Sequence, residues 1–306
     1  MNILFYTMGD NGARWVDALA RELPNASVSV WPQRGASVDY ALVWKPPPAL
    51  IAGLSGARAV FNLGAGVDAI ADSPVWPPGV PLVRLEDAGM AEQMAEYATY
   101  AVLRCYREFA AYEAAQAAAQ WDPRPRLDKG AFGVGLLGVG VLGTHVVQAL
   151  LPFGFPLTCC SRTRKELPGV TSFTRDQLDL FLASCRVLIC MLPLTRATRG
   201  LLNRDTLAQL PHGAYVVNVA RGALIVENDL LALIDSGHLA GAMLDVFDNE
   251  PLPALHAFWH HPGITLTPHI SALTSIAQSV AQIAAKIGRL EAGLAISGVV
   301  DAGRAY

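Results

Sequence analysis

Short apolar runs and longer mixed runs alternate along the chain, the pattern of strands laid between helices. Asn2 to Tyr6 reads as a first strand, followed by a helix through Trp15 and Leu19 that Pro24 ends. Val28 to Trp31, Tyr40 to Trp44, Ala59 to Asn62 and Val80 to Leu85 read as further short strands. Pro46-Pro47-Pro48 is expected as an extended loop, because proline blocks helix and ladder hydrogen bonds. From Met90 to about Gln120 there is neither glycine nor proline, and alanine dominates the second half, which predicts one long helix. Trp121-Asp122-Pro123-Arg124-Pro125 breaks it; an exposed tryptophan there would mark a subunit contact or a locally packed ring.

The stretch Ala131 to Leu151, AFGVGLLGVGVLGTHVVQALL, organises the rest. Phe132 to Leu137 reads as a buried strand, glycines fall at 138, 140 and 143, and an apolar, helix-permissive run follows until Pro152. That is strand, G-x-G-x-x-G, helix. Gly138 allows a tight turn, Gly140 lets backbone approach a pyrophosphate, and Gly143 lets helix and strand pack closely. Val141 and Leu142 open the helix, whose N-terminal N–H groups and positive dipole end face the phosphates. Alternation then resumes. Leu157 to Ser161 is a strand, and Thr174 to Gln177 is a capping box before a short helix. Arg186 to Leu192, Ala214 to Val219, Ala242 to Phe247 and Ile264 to Thr267 supply four more strands, and a last helix runs from Ala272 to about Gly293. The pattern predicts an α/β protein with a doubly wound parallel sheet and ligands at the carboxyl ends of its strands.

Composition narrows the class. A chain of 306 residues has room for two domains, and 52% hydrophobic with 16% charged residues suits a well-buried enzyme. The net charge of -3 offers no basic field for nucleic acid. No segment reads as a signal peptide or a membrane span, so a cytoplasmic protein is expected. Cys105, Cys159, Cys160, Cys185 and Cys190 sit in apolar stretches without metal-like spacing to histidines and read as buried free thiols; no metal is expected. Cys159 and Cys160, adjacent on one strand, should face opposite sides.

Dinucleotide folds that prefer NAD place an acidic residue about 20 residues after the glycines, at the end of the second strand. Here that strand ends Ser161-Arg162-Thr163-Arg164-Lys165, with no carboxylate to repel a 2′-phosphate and three cations and two hydroxyls to receive it. Arg162 can fork onto the phosphate and lie over the adenine face. NADPH is therefore expected over NADH, with NADH possible.

Three polar residues follow predicted strand ends: Arg221 in NVARGAL, Glu250 in LDVFDNEPLP beyond the strand containing Asp245, and His269 in TPHIS. Singly each has a bland reading, as a surface guanidinium, a helix-dipole carboxylate or a packed imidazole. The other histidines (His145, His212, His238, His256, His260 and His261) are left in that class. Together the three fit hydride chemistry on a 2-keto acid. A guanidinium forks onto the substrate carboxylate. The carbonyl oxygen gains charge as hydride arrives, and His269 can protonate it. Free imidazole titrates near ~6.5 and a nearby carboxylate raises that, which makes Glu250 the candidate partner.

With these residues in view, the chain resembles the D-isomer-specific 2-hydroxyacid dehydrogenase family over nearly its whole length. The resemblance is carried by Asn62-Leu63-Gly64-Ala65-Gly66-Val67-Asp68, the glycines at 138 to 143, Leu192-Pro193-Leu194-Thr195 with Thr198-Arg199-Gly200, Asn218-Val219-Ala220-Arg221-Gly222, Leu244-Asp245-Val246-Phe247 and Pro268-His269. It implies that Arg221 binds and polarises substrate, that His269 is the acid/base and that Glu250 pairs with it. It implies that Asp245 contacts the nicotinamide end and that Leu192, Pro193, Thr198, Val219 and Ala220 line the cofactor site. Gly64, Ala65, Gly66 and Val67 would donate N–H bonds to the substrate carboxylate, with Trp44 and Met90 shaping the pocket. Ser161-Arg162 departs from the Asp of many members, in agreement with NADP-linked reductases of glyoxylate and hydroxypyruvate.

The resemblance also implies two Rossmann-like doubly wound parallel-sheet domains: a substrate-binding domain of residues 1–99 and 277–306, with the cofactor domain, 100–276, inserted between. Bridging helices around Ala95 and Ala277 would let the cleft close and expel water, and a homodimer is implied. Rival readings keep the fold but act on larger 2-keto acids or phosphite, or make the chain a dinucleotide-sensing binding protein like the related corepressors. Formate oxidation is disfavoured, since relatives that perform it place Gln where Glu250 stands. With the chain ending at Tyr306, the regulatory extension of phosphoglycerate dehydrogenases is not expected.

Overall fold

The structure is a computed structural model and describes residues 1–9, 11–33, 37–71 and 73–301. The chain forms two compact units, one of residues 1–90 with 273–306 and one of residues 91–272. The expected boundaries, 99/100 and 276/277, fall nine and four residues later. The helix Met90–Tyr106 contributes to the core of the second unit from Met94 onward, which puts the first division at its start.

In the first unit β1 (Asn2–Thr7), β2 (Ser27–Val30), β3 (Tyr40–Trp44), β4 (Ala59–Asn62) and β5 (Leu82–Val83) form a parallel sheet in the order β2-β1-β3-β4-β5. β3 and β4 are near-continuous apolar runs, as strands covered on both faces must be. The helix Gly12–Glu22 buries Trp15 and Leu19, and it packs against Ile276–Glu291, which buries Val280, Ile283 and Ile287. The chain's last helix thus returns to the unit in which the chain began. Two expectations need correction here. β5 is two residues, not Val80 to Leu85. Pro48 is not loop but the first residue of a short helix, Pro48–Ile51, a position where the missing N–H has no helical partner to lose.

The second unit holds β6 (Val134–Leu137), β7 (Leu157–Ser161), β8 (Val170–Thr174), β9 (Val187–Cys190), β10 (Ala214–Asn218), β11 (Leu239–Leu244) and β12 (Ile264–Leu266). They form one parallel sheet in the order β12-β11-β10-β9-β6-β7-β8. Successive side chains go to opposite faces. Leu137, Cys160, Leu188, Cys190 and Val216 enter one apolar cluster, while Leu136, Cys159, Val187, Ile189 and Val217 enter the other. The order reverses between β6 and β9, and at such a switch point the carboxyl ends open a crevice for ligands.

Sequence patterning misses β8, whose five residues lie between a left-handed Gly169 and the capping box at Thr174–Gln177. It also places the strand at 242–247 too late. β11 ends at Leu244, so Asp245 lies past the strand, not within it. The predicted helix to Gln120 is two helices, Met90–Tyr106 and Phe109–Ala117, divided at Glu108, which is left-handed at φ 53°. Packing explains the break. The buried stripe Met94, Ala98, Ala101, Val102 ends at Tyr106, whose ring sits 5.1 Å from both Phe132 and Phe155. Phe109–Ala117 buries nothing, and an Arg104–Glu113 ion pair spans the division.

All five cysteines are free. Burial pushes the Cys160 thiol up to about 11 and those of Cys185 and Cys190 to about 12. An unfolded thiol titrates near about 8.5, so above that pH the unfolded chain releases protons that the folded chain keeps. Their contribution to stability is complete below about pH 8.5 and declines as pH rises toward the folded values. Urea midpoints measured at pH 7.5, 8.5 and 9.5 should therefore fall across the upper half of that range. A midpoint that stays level to pH 9.5 would contradict this.

Candidate active site

The glycine turn after β6 follows its sequence logic. Gly138 has φ +97°, and a Cβ there would lie 2.9 Å from the Met191 backbone. A Cβ on Gly143 would meet the Gly138 carbonyl at 3.0 Å, whereas one on Gly140 would meet nothing of the protein. Gly140 is thus bare for a reason outside the chain's own packing. The helix Val141–Leu150 starts there with no side-chain cap, so its first N–H groups are offered to an acceptor from elsewhere. Val141 is exposed and Leu142 half-buried beside them. The residues present fit a dinucleotide pyrophosphate.

The turn after β7 is exposed at Arg162, Thr163 and Arg164. Ser161 Oγ donates to the Thr163 carbonyl at 2.7 Å, and Arg164 donates to Gln177 Oε1 at 3.2 Å. These bonds shape a cationic turn without a carboxylate between 161 and 165. Beyond β9, Leu192 and Pro193 are half-buried, and Thr198 Oγ1 donates to the Pro193 carbonyl at 2.7 Å while accepting from Thr195 N at 2.8 Å. Thr198 therefore holds the shape of that loop. Val219 and Ala220 are almost enclosed.

Arg221 follows β10 in extended conformation. Asn218, buried at the end of the strand, bends the chain beneath it: Nδ2 donates to the Arg221 carbonyl at 2.9 Å and Oδ1 accepts from Ala220 N at 3.1 Å. Arg221 itself donates to the Ala220 carbonyl at 2.6 Å. Gly222 comes next, and a Cβ there would lie 1.9 Å from Phe247 C and 2.1 Å from Asp248 N. The Arg221 turn and the segment leading to Glu250 are thus in backbone contact.

Glu250 is oriented from both oxygens. Oε1 accepts from Phe247 N at 3.1 Å, and Oε2 lies 2.8 Å from His269 Nδ1. A carboxylate only accepts, so Nδ1 carries the hydrogen and Nε2 is left for a substrate. His269 keeps 42% of its side chain exposed. Its backbone is left-handed, φ +55°, which costs about 1–3 kcal/mol for a residue with a side chain.

Asp245 supplies the compensation. Its carbonyl accepts from His269 N at 2.8 Å, Oδ1 from Ile270 N at 2.8 Å, and Oδ2 from Ser271 N at 2.8 Å. Bonds to an ionised group are worth about 1.5–3 kcal/mol each, so two of them offset the strain. Asp245 has 0% exposure. Its carboxylate bonds this turn from both oxygens.

In the first unit Asn62 Nδ2 donates to the carbonyls of Gly64 and Gly66 at 2.9 and 2.8 Å, which bends the Gly64-Ala65-Gly66-Val67 loop. Gly64 lies close against the Trp44 indole, since a Cβ would come 2.5 Å from Trp44 Cζ3. Val67 and Met90 are buried, and Met90 Sδ accepts from Thr274 Oγ1 at 3.8 Å. Asn62, Asn218 and Gly222 escaped the sequence reading as site-building residues. An apolar strand that ends in a single Asn was the available signal for the first two.

The profile described as D-isomer specific 2-hydroxyacid dehydrogenase, NAD binding domain, matches residues 99–271. A D-isomer specific 2-hydroxyacid dehydrogenase from Xanthobacter autotrophicus Py2, solved with NADPH and MES, is 38% identical with TM-score 0.94, covering 100% of this chain and 99% of that one. An NADPH-dependent glyoxylate/hydroxypyruvate reductase from Sinorhizobium meliloti, solved with NADP and sulfate, is 32% identical with TM-score 0.93 over the same shares. A probable 2-hydroxyacid dehydrogenase from Rhizobium etli CFN 42, solved with NADP, HEPES and L(+)-tartaric acid, is 27% identical with TM-score 0.92, again over those shares. No helix among the described residues is long and apolar enough to cross a membrane.

Gly222→Ala forces its methyl into the Phe247–Asp248 backbone and should destabilise the second unit by about 1–3 kcal/mol or more. Hydrogen exchange should quicken over residues 246–250 as that segment gives way. A variant with the parental melting temperature and parental exchange there would show that the two turns are not in contact.

Proposed function

Because the chain belongs to the D-isomer specific 2-hydroxyacid dehydrogenase family, we propose that it reduces small 2-keto acids, glyoxylate and hydroxypyruvate foremost, with NADPH. The observation that carries the reading is the Glu250–His269 pair at 2.8 Å, held by an anchored turn. The 32% identity to a glyoxylate/hydroxypyruvate reductase supports the substrate class. The cationic turn Ser161 to Lys165 and the NADPH and NADP complexes of the similar proteins support the cofactor.

Arg221 forks onto the substrate carboxylate and orients the carbonyl. His269 Nε2 donates a proton to the carbonyl oxygen as charge develops there, and Glu250 stabilises the imidazolium and holds its orientation. Bound on the glycine turn, NADPH supplies the hydride. The sum is keto acid, NADPH and one proton giving hydroxy acid and NADP⁺; in oxidation neutral His269 takes the hydroxyl proton. The backbone N–H groups of Gly64, Ala65, Gly66 and Val67, with Trp44 and Met90, belong to the substrate site on the strength of the resemblance. The indole packed closely against Gly64 supports a preference for small substrates.

Two further assignments accompany this reading. Trp121, 98% exposed after a helix that buries nothing, supports a homodimer contact. Five unpaired thiols support a reducing, cytoplasmic location.

A panel of 2-keto acids with NADPH and with NADH tests the proposal. Glyoxylate and hydroxypyruvate should be reduced best, and with NADPH. His269→Ala should lower kcat by about 10²–10⁴-fold. Arg162→Ala should raise KM for NADPH about tenfold or more while leaving that for NADH nearly unchanged, since one charge-assisted fork is lost. Equal use of NADH by the parent protein would overturn the cofactor assignment. Absence of turnover with every keto acid would overturn the reaction in favour of a dinucleotide-binding protein.

A further inference from the structure

The turn that carries His269 has a second support that none of the site residues above includes. Thr267 Oγ1 donates to Asp245 Oδ1 at 2.6 Å and lies 2.6 Å from the Tyr97 hydroxyl. A hydroxyl has one hydrogen to give, and Thr267 gives it to the carboxylate. The Tyr97 phenol is therefore the donor of the second bond. Burial raises the Tyr97 phenol above its ordinary range, with the Asp245 carboxylate adding to the effect, so it retains that proton throughout the working pH range. The chain of bonds runs from Tyr97 O–H to Thr267 O–H to the Asp245 carboxylate, and from there to the N–H groups of Ile270 and Ser271.

Tyr97 lies in Met90–Tyr106, the helix whose buried stripe packs on the sheet of the second unit. The left-handed imidazole turn is thereby tied to the core of that unit through two hydroxyls and one enclosed carboxylate. Asp245 has all its acceptor directions toward this turn occupied by three donors, and it exposes no surface to a ligand.

We propose that Tyr97 and Thr267 are positioning residues for His269, acting through Asp245, whose carboxylate holds the His269 turn. The inference rests on the reading of His269 as the acid/base. Thr267→Val keeps the shape of the side chain but removes the hydroxyl, so Asp245 loses one donor and Tyr97 its acceptor. Proton delivery from a misaligned imidazole slows, whereas the groups that bind substrate and cofactor are untouched.

The test compares Thr267→Val, Thr267→Ser and Tyr97→Phe with the parent. Thr267→Val should lower kcat for glyoxylate about 10- to 100-fold, the scale of a displacement of about 1 Å. KM for glyoxylate and the NADPH Kd, read by fluorescence, should stay within about twofold, as expected when only transition-state geometry is disturbed. The solvent deuterium isotope effect on kcat should increase. Thr267→Ser should restore kcat to within about threefold, and Tyr97→Phe should show the same pattern as Thr267→Val in smaller degree. In the protein without cofactor, amide exchange at residues 269–271 should be faster in Thr267→Val than in the parent or in Thr267→Ser.

An active parent whose Thr267→Val and Tyr97→Phe variants keep kcat would overturn the inference and leave the proposed reaction standing. A raised NADPH Kd at unchanged kcat would also overturn it, by assigning the network to the dinucleotide. If the parent reduces no keto acid, the reaction fails and the exchange measurement decides alone: parental protection at 269–271 in Thr267→Val rejects the support. Should Thr267→Val not fold, Tyr97→Phe carries both readouts.

Discussion

Buried polar side chains at the carboxyl ends of parallel strands fix the turns on which this site depends. Asn62 ends β4, Asn218 ends β10, and Asp245 stands one residue past β11. Each is enclosed to within 1% of its surface, and each answers backbone groups that the sheet ladder no longer satisfies. An unpaired polar group in such a place costs about 1–3 kcal/mol, so these turns have one well-satisfied conformation and few alternatives. The proposed chemistry is placed on them. Asn62 bends the loop after β4, Asn218 sets the carbonyl of Arg221, and Asp245 holds His269 in a backbone conformation that its side chain disfavours. Asp245 N also donates to the Asn218 carbonyl at 3.0 Å, which ties the second turn to the third.

Rigid placement is concentrated where the proposed reaction depends on geometry. The imidazole, its carboxylate and the guanidinium stand on anchored backbone, and Gly222 admits the Phe247–Asp248 segment against the Arg221 turn. The cationic turn at 161–165 is different. It is exposed at Arg162, Thr163 and Arg164. The proposed recognition of a doubly charged phosphate by guanidinium groups tolerates that exposure, because long-range attraction and several donors share the work.

Much of this was legible in the sequence because it is local. The glycine fingerprint between β6 and its helix, the capping box at Thr174–Gln177 and the opposed faces of Cys159 and Cys160 each depend on residues close in the chain. The pairing of Glu250 with His269 was also foreseeable, since both follow strand ends that a doubly wound sheet brings to one side. What escaped depends on distant partners. Asp245 bonds residues 22 to 26 positions away, so its role cannot be read from LDVF. Helix propensity cannot reveal the break at Glu108, because the cause is the end of a packed face at Tyr106. Gly222 looks like an ordinary loop glycine until the backbone of Phe247 is seen against it.

The central claim is that Glu250 fixes His269 with Nδ1 protonated and Nε2 directed to chemistry. Nitrogen-15 NMR of histidine-labelled protein, with the His269→Gln variant to assign the resonance, reads the tautomer directly. The account predicts that in the neutral ring Nδ1 retains the hydrogen and Nε2 is the nitrogen that gains and loses the proton. A neutral His269 carrying its hydrogen on Nε2 would contradict it, because the carboxylate at 2.8 Å would then hold nothing in place.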